Sequence, residues 1–421
     1  MHVVLQVSHL MKLVLRQHAT SKRVRPMVLN TWPGSVGGDG AEIKGYVQTW
    51  VDVAGNGNGV HAGGGGGGGD QGLAAMIANT MRVHILVDLA GHTGGHRMGV
   101  LARRPAPVSV TFLGFAATTG ADFIDYIVSD ALVSPPELAC AFSETLGMIP
   151  PTMYPVNTEQ AIAAPMPTRR QLGLPAEASR AFVLACFNRN LKIKPDVWAV
   201  WMKLLQVRQR SVLWLRRFHI QVQENLVRQA AAANVSTSRL IFAGRIPDRA
   251  MHLSRHGQAD LFLDTPRFGG HSTLVDVLWA GRPVLVVPGA TMASRIGASL
   301  LMAAGGRVMV ARGMEEYLAL ALALSDIRHQ DALEAIRARI SGALHAPDSR
   351  MRAEKYSTRL EGWYALTWDA FRIRRQDARA SVAMPLSTAK ASAGAAATHT
   401  ASVWWQALDG KAPPVIYTRM H

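Results

Sequence analysis

His271, Ser272 and Thr273 stand together, with Asp276 one helical turn further on. Two hydroxyls at the start of a helix sit beside free N–H groups and the positive end of the helix dipole, a combination that favours a phosphate. A carboxylate one turn in can reach a ribose hydroxyl, so the segment reads as built for a sugar nucleotide. Ser272 would serve equally as an ordinary N-cap. Lys192 follows the apolar run Phe182–Phe187 in FNRNLK and precedes Pro195. A lysine at the carboxyl end of a strand can neutralise charge growing on a departing diphosphate, although a solvated surface lysine carries the same local pattern. Arg249, His252 and Arg255 lie in PDRAMHLSRHGQAD, and His92 lies in DLAGHTGG after a buried run. Taken alone, Arg255 fits a polar helix face and His92 a structural histidine.

Positioning these residues requires alternating strands and helices. Leu261–Leu263 reads as a strand, 265–270 as a Gly- and Pro-containing loop, 272–280 as a helix and Val284–Val287 as the next buried strand. A loop at a strand's carboxyl end leading into a helix is where open α/β sheets bind ligands, and the same pattern also fits any buried βαβ unit. Upstream, the first residues read as a strand and helix, 24–29 as a strand, 41–50 as a helix, 73–80 as a helix, and 83–89, 108–113 and 125–129 as strands. A Pro-rich stretch over 150–167 marks a boundary. A second alternating series comes after it: strands at 182–187, 212–215 and 240–243, helices at 195–207, 221–233 and 293–304, and largely helical sequence over 315–344. The pattern predicts two α/β lobes with parallel sheets, over 1–150 and 151–350, a helix over 351–375 and a disordered tail over 376–421. The glycine run 63–69 predicts a flexible insertion in the first lobe.

Composition narrows the class. The 421 residues carry a formal charge of +16, with 48% hydrophobic residues and two cysteines, Cys140 and Cys186. No apolar run reaches the ~18–20 residues of a membrane span. Two cysteines in apolar surroundings imply neither a disulfide framework nor a zinc site, and a reducing compartment fits. The basic residues are spread along the chain, with no aromatic RNA-binding motif, so no specific nucleic-acid partner is expected. No 34-residue repeat is present, and no His/Cys/Asp cluster has metal-ligand spacing.

The run Leu263, Asp264, Thr265, Pro266, Gly270, His271, Thr273, Asp276, Leu278, Trp279, Ala280, Gly281, Pro283 resembles the donor-binding signature of the O-linked N-acetylglucosamine transferases, glycosyltransferase family 41. The resemblance covers the chain from about Ser8 to Trp368. It implies the glycosyltransferase-B arrangement, with a crevice between the lobes. Lys192 falls at the family's leaving-group lysine, His271, Ser272 and Thr273 at its phosphate contacts, and Asp276 at its ribose acid. Arg189 replaces a glutamine and Ser272 a threonine. His252 and Arg255 match a stretch contacting the nucleobase. Arg249 stands in place of a lysine there, in a register that one inserted residue leaves open. Gly91, His92 and Thr93 match a loop facing the crevice, which gives His92 a catalytic-site role. Arg104–Pro107 also match, whereas Ala116 and Ala117 replace a Pro and a Gly.

Family members continue upstream with a histidine-bearing strand and a tetratricopeptide superhelix; here Leu5 occupies the place of that histidine. The chain therefore resembles a C-terminal catalytic portion with a truncated first strand or an incomplete gene product. The resemblance implies an inverting, metal-independent transfer of N-acetylglucosamine from UDP-N-acetylglucosamine to Ser or Thr of proteins. It implies no cofactor, no membrane, and a cytoplasmic or nuclear location, with an organellar presequence as the alternative. Two rival readings are a UDP-sugar-binding pseudoenzyme or scaffold, favoured by the missing histidine, and a Spindly-type protein fucosyltransferase, disfavoured by His271.

Overall fold

The computed structural model describes residues 2–3, 5–31, 38–53, 69–383 and 416–417. Residues 63–68 of the glycine run, and Trp404 and Trp405 with most of the tail, lie outside the described residues; Gly69 begins a helix. The chain divides into two compact units, 1–153 with 354–421, and 154–353.

The first unit is an eight-stranded sheet. Its strands are β1 (His2–Val3), β2 (Met27–Asn30), β3 (Thr49–Asp52), β4 (Ile85–Asp88), β5 (Val108–Thr111), β6 (Tyr126–Ser129), β7 (Thr145–Met148) and, from the C-terminal region, β13 (Ile416–Tyr417). Their order is β13-β7-β6-β5-β4-β1-β2-β3. All pairs are parallel except β13 with β7, where Ile416 faces Gly147. Its helices are α1 (Leu5–Thr20), α2 (Asp39–Tyr46), α3 (Gly69–Ala75), which continues as a π-helix over Met76–Met81, and α4 (Met98–Leu101).

The second unit carries a five-stranded parallel sheet: β8 (Phe182–Cys186), β9 (Ser211–Arg216), β10 (Leu240–Ala243), β11 (Leu261–Leu263) and β12 (Val284–Leu285), in the order β10-β9-β8-β11-β12. Around it run α5 (Pro195–Val207), α6 (Ile220–Ala232), α7 (Arg249–Arg255), α8 (Ser272–Trp279), α9 (Met292–Ala303), α10 (Met314–Leu324) and α11 (Gln330–His345). The near-continuous apolar strands follow from burial on both faces: in β8 and β9 only the terminal residues Phe182 and Arg216 escape burial. Trp201, Trp214, Phe262 and Tyr317 are fully buried in this core.

Helix α12 (Ala353–Ala383) groups from Glu354 onward with the first unit. There Trp363 meets Tyr126 edge-on at 5.7 Å, and Tyr356 donates to the Met153 carbonyl at 2.5 Å. The indole reaches the sheet because Gly147 has no side chain; a Cβ there would collide with Trp363.

Three expectations need correction. Residues 41–50 read as one helix in the sequence, but the helix ends at Tyr46 and Thr49–Asp52 form β3. Thr, Trp and Val favour a pleated surface, and β2 supplies the partner. The strand Thr145–Met148 has no counterpart among the expected elements, its apolar pattern being short and broken by Gly147. Disorder is expected from 376 onward, yet α12 continues to Ala383 and Ile416–Tyr417 pair with β7. A sheet edge presents unpaired backbone groups that such a segment satisfies. Among the described residues, no helix is long and apolar enough to cross a membrane.

Candidate functional site

The second unit assembles its polar residues at the carboxyl ends of β8, β9, β10 and β11. The chain turns sharply after β11, and Asp264 organises the turn. This carboxylate is buried; its Oδ1 accepts from the Gly270 N–H at 2.7 Å and from Asn188 Nδ2 at 2.8 Å. Asn188 Nδ2 also reaches Thr265 Oγ1 at 2.8 Å. Burial pushes the Asp264 carboxyl up to about 6, against the opposing bonds from Gly270 and Asn188 and the charge of Lys192. Behind it, Trp201 Nε1 donates to the Tyr317 hydroxyl, which donates to the Asp264 carbonyl, each at 3.1 Å. Two core helices are thereby tied to the turn. Gly270 is required by close approach: a Cβ would lie 2.8 Å from Asn188 Oδ1 and from Leu274 Cγ.

Lys192 ends a short 3-10 turn and points at this loop. Its Nζ donates to the Gly269 carbonyl at 2.6 Å and sits 4.0 Å above the Phe268 ring. Burial brings its ammonium down to about 8, partly opposed by Asp264. It stays mostly protonated at neutral pH, with two of its three donors left for a ligand.

His271, not Ser272, is the N-cap residue of α8, and its side chain makes no capping bond. Its ring instead donates from Nε2 to the Ala293 carbonyl at 2.9 Å and stacks on Phe268 at 5.1 Å. Burial, with Lys192 nearby, holds it down to about 4, so it is neutral. The Ser272 and Thr273 side chains line a cavity of ≈ 300 Å³ together with Asp276, Arg249, His252 and Arg255. Among the described residues, neither of the two hydroxyls is engaged in a hydrogen bond.

Asp276 is the anionic centre of that cavity. Arg249 forks onto it, at 2.9 Å to Oδ2 and 2.5 Å to Oδ1, and His252 Nε2 stands 3.5 Å from Oδ2. Burial raises this carboxyl, but the His252 hydrogen bond and the Arg249 charge outweigh it and bring it down to about 2. Gln160 accepts from Arg249 Nε at 3.0 Å, and its carbonyl accepts from Trp279 Nε1 at 3.0 Å. Arg255 is buried, lies 4.7 Å over the Phe187 ring and donates to the Gly244 carbonyl at 2.6 Å. Burial and Arg216 lower its guanidinium to about 10. Arg189 is exposed beside Lys192.

His92 belongs to the first unit. There Asp88 accepts from the N–H groups of Ala90 (3.1 Å) and Gly91 (2.7 Å), and His92 Nε2 donates to the Thr119 carbonyl at 2.8 Å. The second unit therefore brings Lys192, Arg249, His252, Arg255, His271, Ser272, Thr273 and Asp276 into one neighbourhood; His92 lies in the first unit. Sequence reading assigned no individual role to Asp264 or Asn188, although both fall in the motifs it singled out, and missed Gln160, Arg216 and Arg245. Asp264 and Asn188 each directly follow an apolar strand, a position that signals a role in the turn. Gln160 carries no such signal. Among the described residues, no group of three or more His, Cys, Asp or Glu side chains is placed to hold a metal ion.

The chain is similar to several known proteins. The chain is 38% identical over 273 residues to the Arabidopsis thaliana probable UDP-N-acetylglucosamine–peptide N-acetylglucosaminyltransferase SEC, covering 63% of this chain and 27% of that protein. It is 30% identical over 318 residues to the Oryza sativa protein of the same description called SPINDLY, covering 73% and 33%. The chain thus spans about a quarter to a third of the length of these curated relatives. A mutant Thermobaculum terrenum O-GlcNAc transferase superposes with a TM-score of 0.75 at 28% identity, covering 87% of this chain and 66% of that one. The Anabaena HepE protein, solved with UDP and glucose, shares the fold at a TM-score of 0.53 and 13% identity, covering 84% and 95%. The fold class is two Rossmann-like α/β lobes of the glycosyltransferase-B type. The family model described as glycosyl transferase family 41 matches residues 69–164 and 156–360, and the chain belongs to that family.

Proposed function

We propose that the chain binds UDP-N-acetylglucosamine and transfers the sugar, with inversion and without a metal or other cofactor, to Ser or Thr hydroxyls of proteins. The observation that carries this reading is the cavity in which Asp276, gripped by Arg249 and His252, lies one turn behind the Ser272 and Thr273 hydroxyls at a helix start. Asp276 accepts from a ribose hydroxyl, and Arg255 and His252 face the base. The diphosphate meets the positive end of α8. An acceptor hydroxyl attacks the anomeric carbon from the face opposite the diphosphate. Lys192 and the 271–273 turn take up the charge that grows on the leaving group, the contribution that speeds such a step. Family membership and the names of the relatives support both donor and acceptor class. His92 is proposed as a second catalytic-site residue, and no side chain is assigned as base.

The partners are a UDP-sugar and protein acceptors, with no specific nucleic acid and no membrane. We place the protein in the cytoplasm or nucleus; two free cysteines, Cys140 and the buried Cys186, suit a reducing compartment. The test is a turnover assay with labelled UDP-N-acetylglucosamine and an acceptor protein, alongside calorimetry with UDP. Sugar transfer with UDP binding supports the reading. UDP binding without transfer would instead establish a donor-binding pseudoenzyme, the reading favoured by Leu5 in place of the upstream histidine. Transfer of fucose in preference to N-acetylglucosamine would shift the assignment to the Spindly-type activity.

A further inference from the structure

The cavity holds more positive charge than its own carboxylate can balance. Arg216 and Arg245 line it, at the carboxyl ends of β9 and β10, and both side chains are exposed. Arg216 lies over the Phe218 ring at 4.8 Å, which orients the guanidinium without neutralising it. Among the described residues, neither arginine is ion-paired with an acid. The one carboxylate lining the cavity, Asp276, is committed to Arg249 and His252. Elsewhere in this unit Arg169, Arg208, Arg267 and Arg337 each meet an Asp or Glu. Burial lowers the Arg216 guanidinium, and the like charges of Arg189 and Arg245 lower it further. Cations gathered at the mouth of a polar cavity repel one another until an anion joins them.

We propose that the ends of β9 and β10 form a second anion subsite, in which Arg216 and Arg245, flanked by Arg189, bind a phosphate-class dianion distinct from the donor's diphosphate. Planar guanidinium forks bind phosphate oxygens in pairs, and two of them can share one phosphate. The anion comes either free in solution or as a further phosphate on a nucleotide. The inference deepens the donor-site reading and rests on it for the word "second".

The test is calorimetry on the full chain with inorganic pyrophosphate as the probe, with and without saturating UDP, and a parallel comparison of UTP with UDP. The expected result is one-to-one binding of pyrophosphate to the UDP-saturated chain. In Arg216→Gln and Arg245→Gln that affinity falls about tenfold more than the affinity for UDP, the scale of a lost charge-assisted bond. If the natural source is a nucleotide, UTP binds the wild-type chain more tightly than UDP and the gap closes in both variants. If it is a free anion, UTP and UDP bind alike while pyrophosphate still binds beside UDP. Pyrophosphate that binds only without UDP and is displaced by it overturns the proposal, because the arginines then serve the donor diphosphate. Equal weakening of UMP, UDP and pyrophosphate in the variants, or no pyrophosphate or UTP effect at all, also overturns it. Failure of UDP to bind, with pyrophosphate still held through Arg216 and Arg245, would sink the donor reading and leave the anion site standing.

Discussion

The turn after β4 and the turn after β11 are built alike and equipped differently. Each begins with a buried strand-end aspartate, Asp88 or Asp264, that collects loop N–H groups. Burial raises both carboxyls. Each turn then reads Gly-His and a hydroxyl residue, and each histidine ring is spent on a backbone carbonyl, of Thr119 or of Ala293. The two part company beyond the histidine. After His271 a helix starts at once, and Lys192, Arg249 and Arg255 supply cations around it. After His92 no helix begins until Met98, and the Thr93 hydroxyl turns back onto the Ala90 carbonyl at 2.7 Å. The aspartate–glycine–histidine turn is common to both, and on the proposed function it is the helix start and the cations added to it that would recognise an anion.

Substitutions can break or sharpen that contrast. The largest expected effect is Lys192→Ala, which should cut kcat with UDP-N-acetylglucosamine by on the order of 10²–10³ and weaken UDP-sugar binding far less. Steady-state kinetics beside calorimetry checks it; a variant that keeps kcat and loses only affinity makes Lys192 a phosphate clamp. Next, Asp264→Ala and Asp88→Ala should each cost about 2–3 kcal/mol of stability, because buried donors lose their acceptor. Denaturant unfolding measures this. Only the Asp264 variant should lose UDP affinity out of proportion to its stability, and an equal loss in both would erase the distinction between the turns.

Asp276→Ala should weaken UDP by roughly 1–3 kcal/mol, the cost of a charge-assisted hydrogen bond; unchanged affinity in a folded variant removes the ribose assignment. The smallest effect is on pH. Lys192 is lowered to about 8, so the free protein loses this charge as pH rises through that value. The log kcat/KM profile should therefore bend downward near pH 8, and the bend should vanish in Lys192→Ala. A bound diphosphate favours the protonated form, so the corresponding bend in kcat should lie at higher pH.

Much of the second unit was legible because its signals are local. Leu240–Ala243 and Leu261–Leu263 are short apolar runs between polar boundaries, and α5 opens with Pro195 in its first turn. The helix start at Ser272 and the place of Lys192 rest on residues adjacent in sequence. The features that escaped depend on distant partners. Gln160 meets Arg249 from 89 residues away, and Tyr317 meets the Asp264 carbonyl from 53. The pairing of β3 with β2 likewise overrides a sequence that looks helical through Trp50. Arg249 likewise grips Asp276 from 27 residues away.

The first unit is written in two pieces, with the whole second unit between them in the chain. During synthesis the second unit can therefore finish and close its own core while the first still waits for its last helix. Until α12 leaves the ribosome, the surface around Tyr126 and Gly147 lacks the Trp363 ring that covers it. An apolar face waiting through some 200 residues of further translation, at about 5–20 residues per second, is exposed for on the order of ten to forty seconds. Exposed apolar surface of this kind is prone to aggregation in that interval. A stop codon between the second unit and α12 should thus yield a soundly folded second unit attached to an aggregation-prone first one.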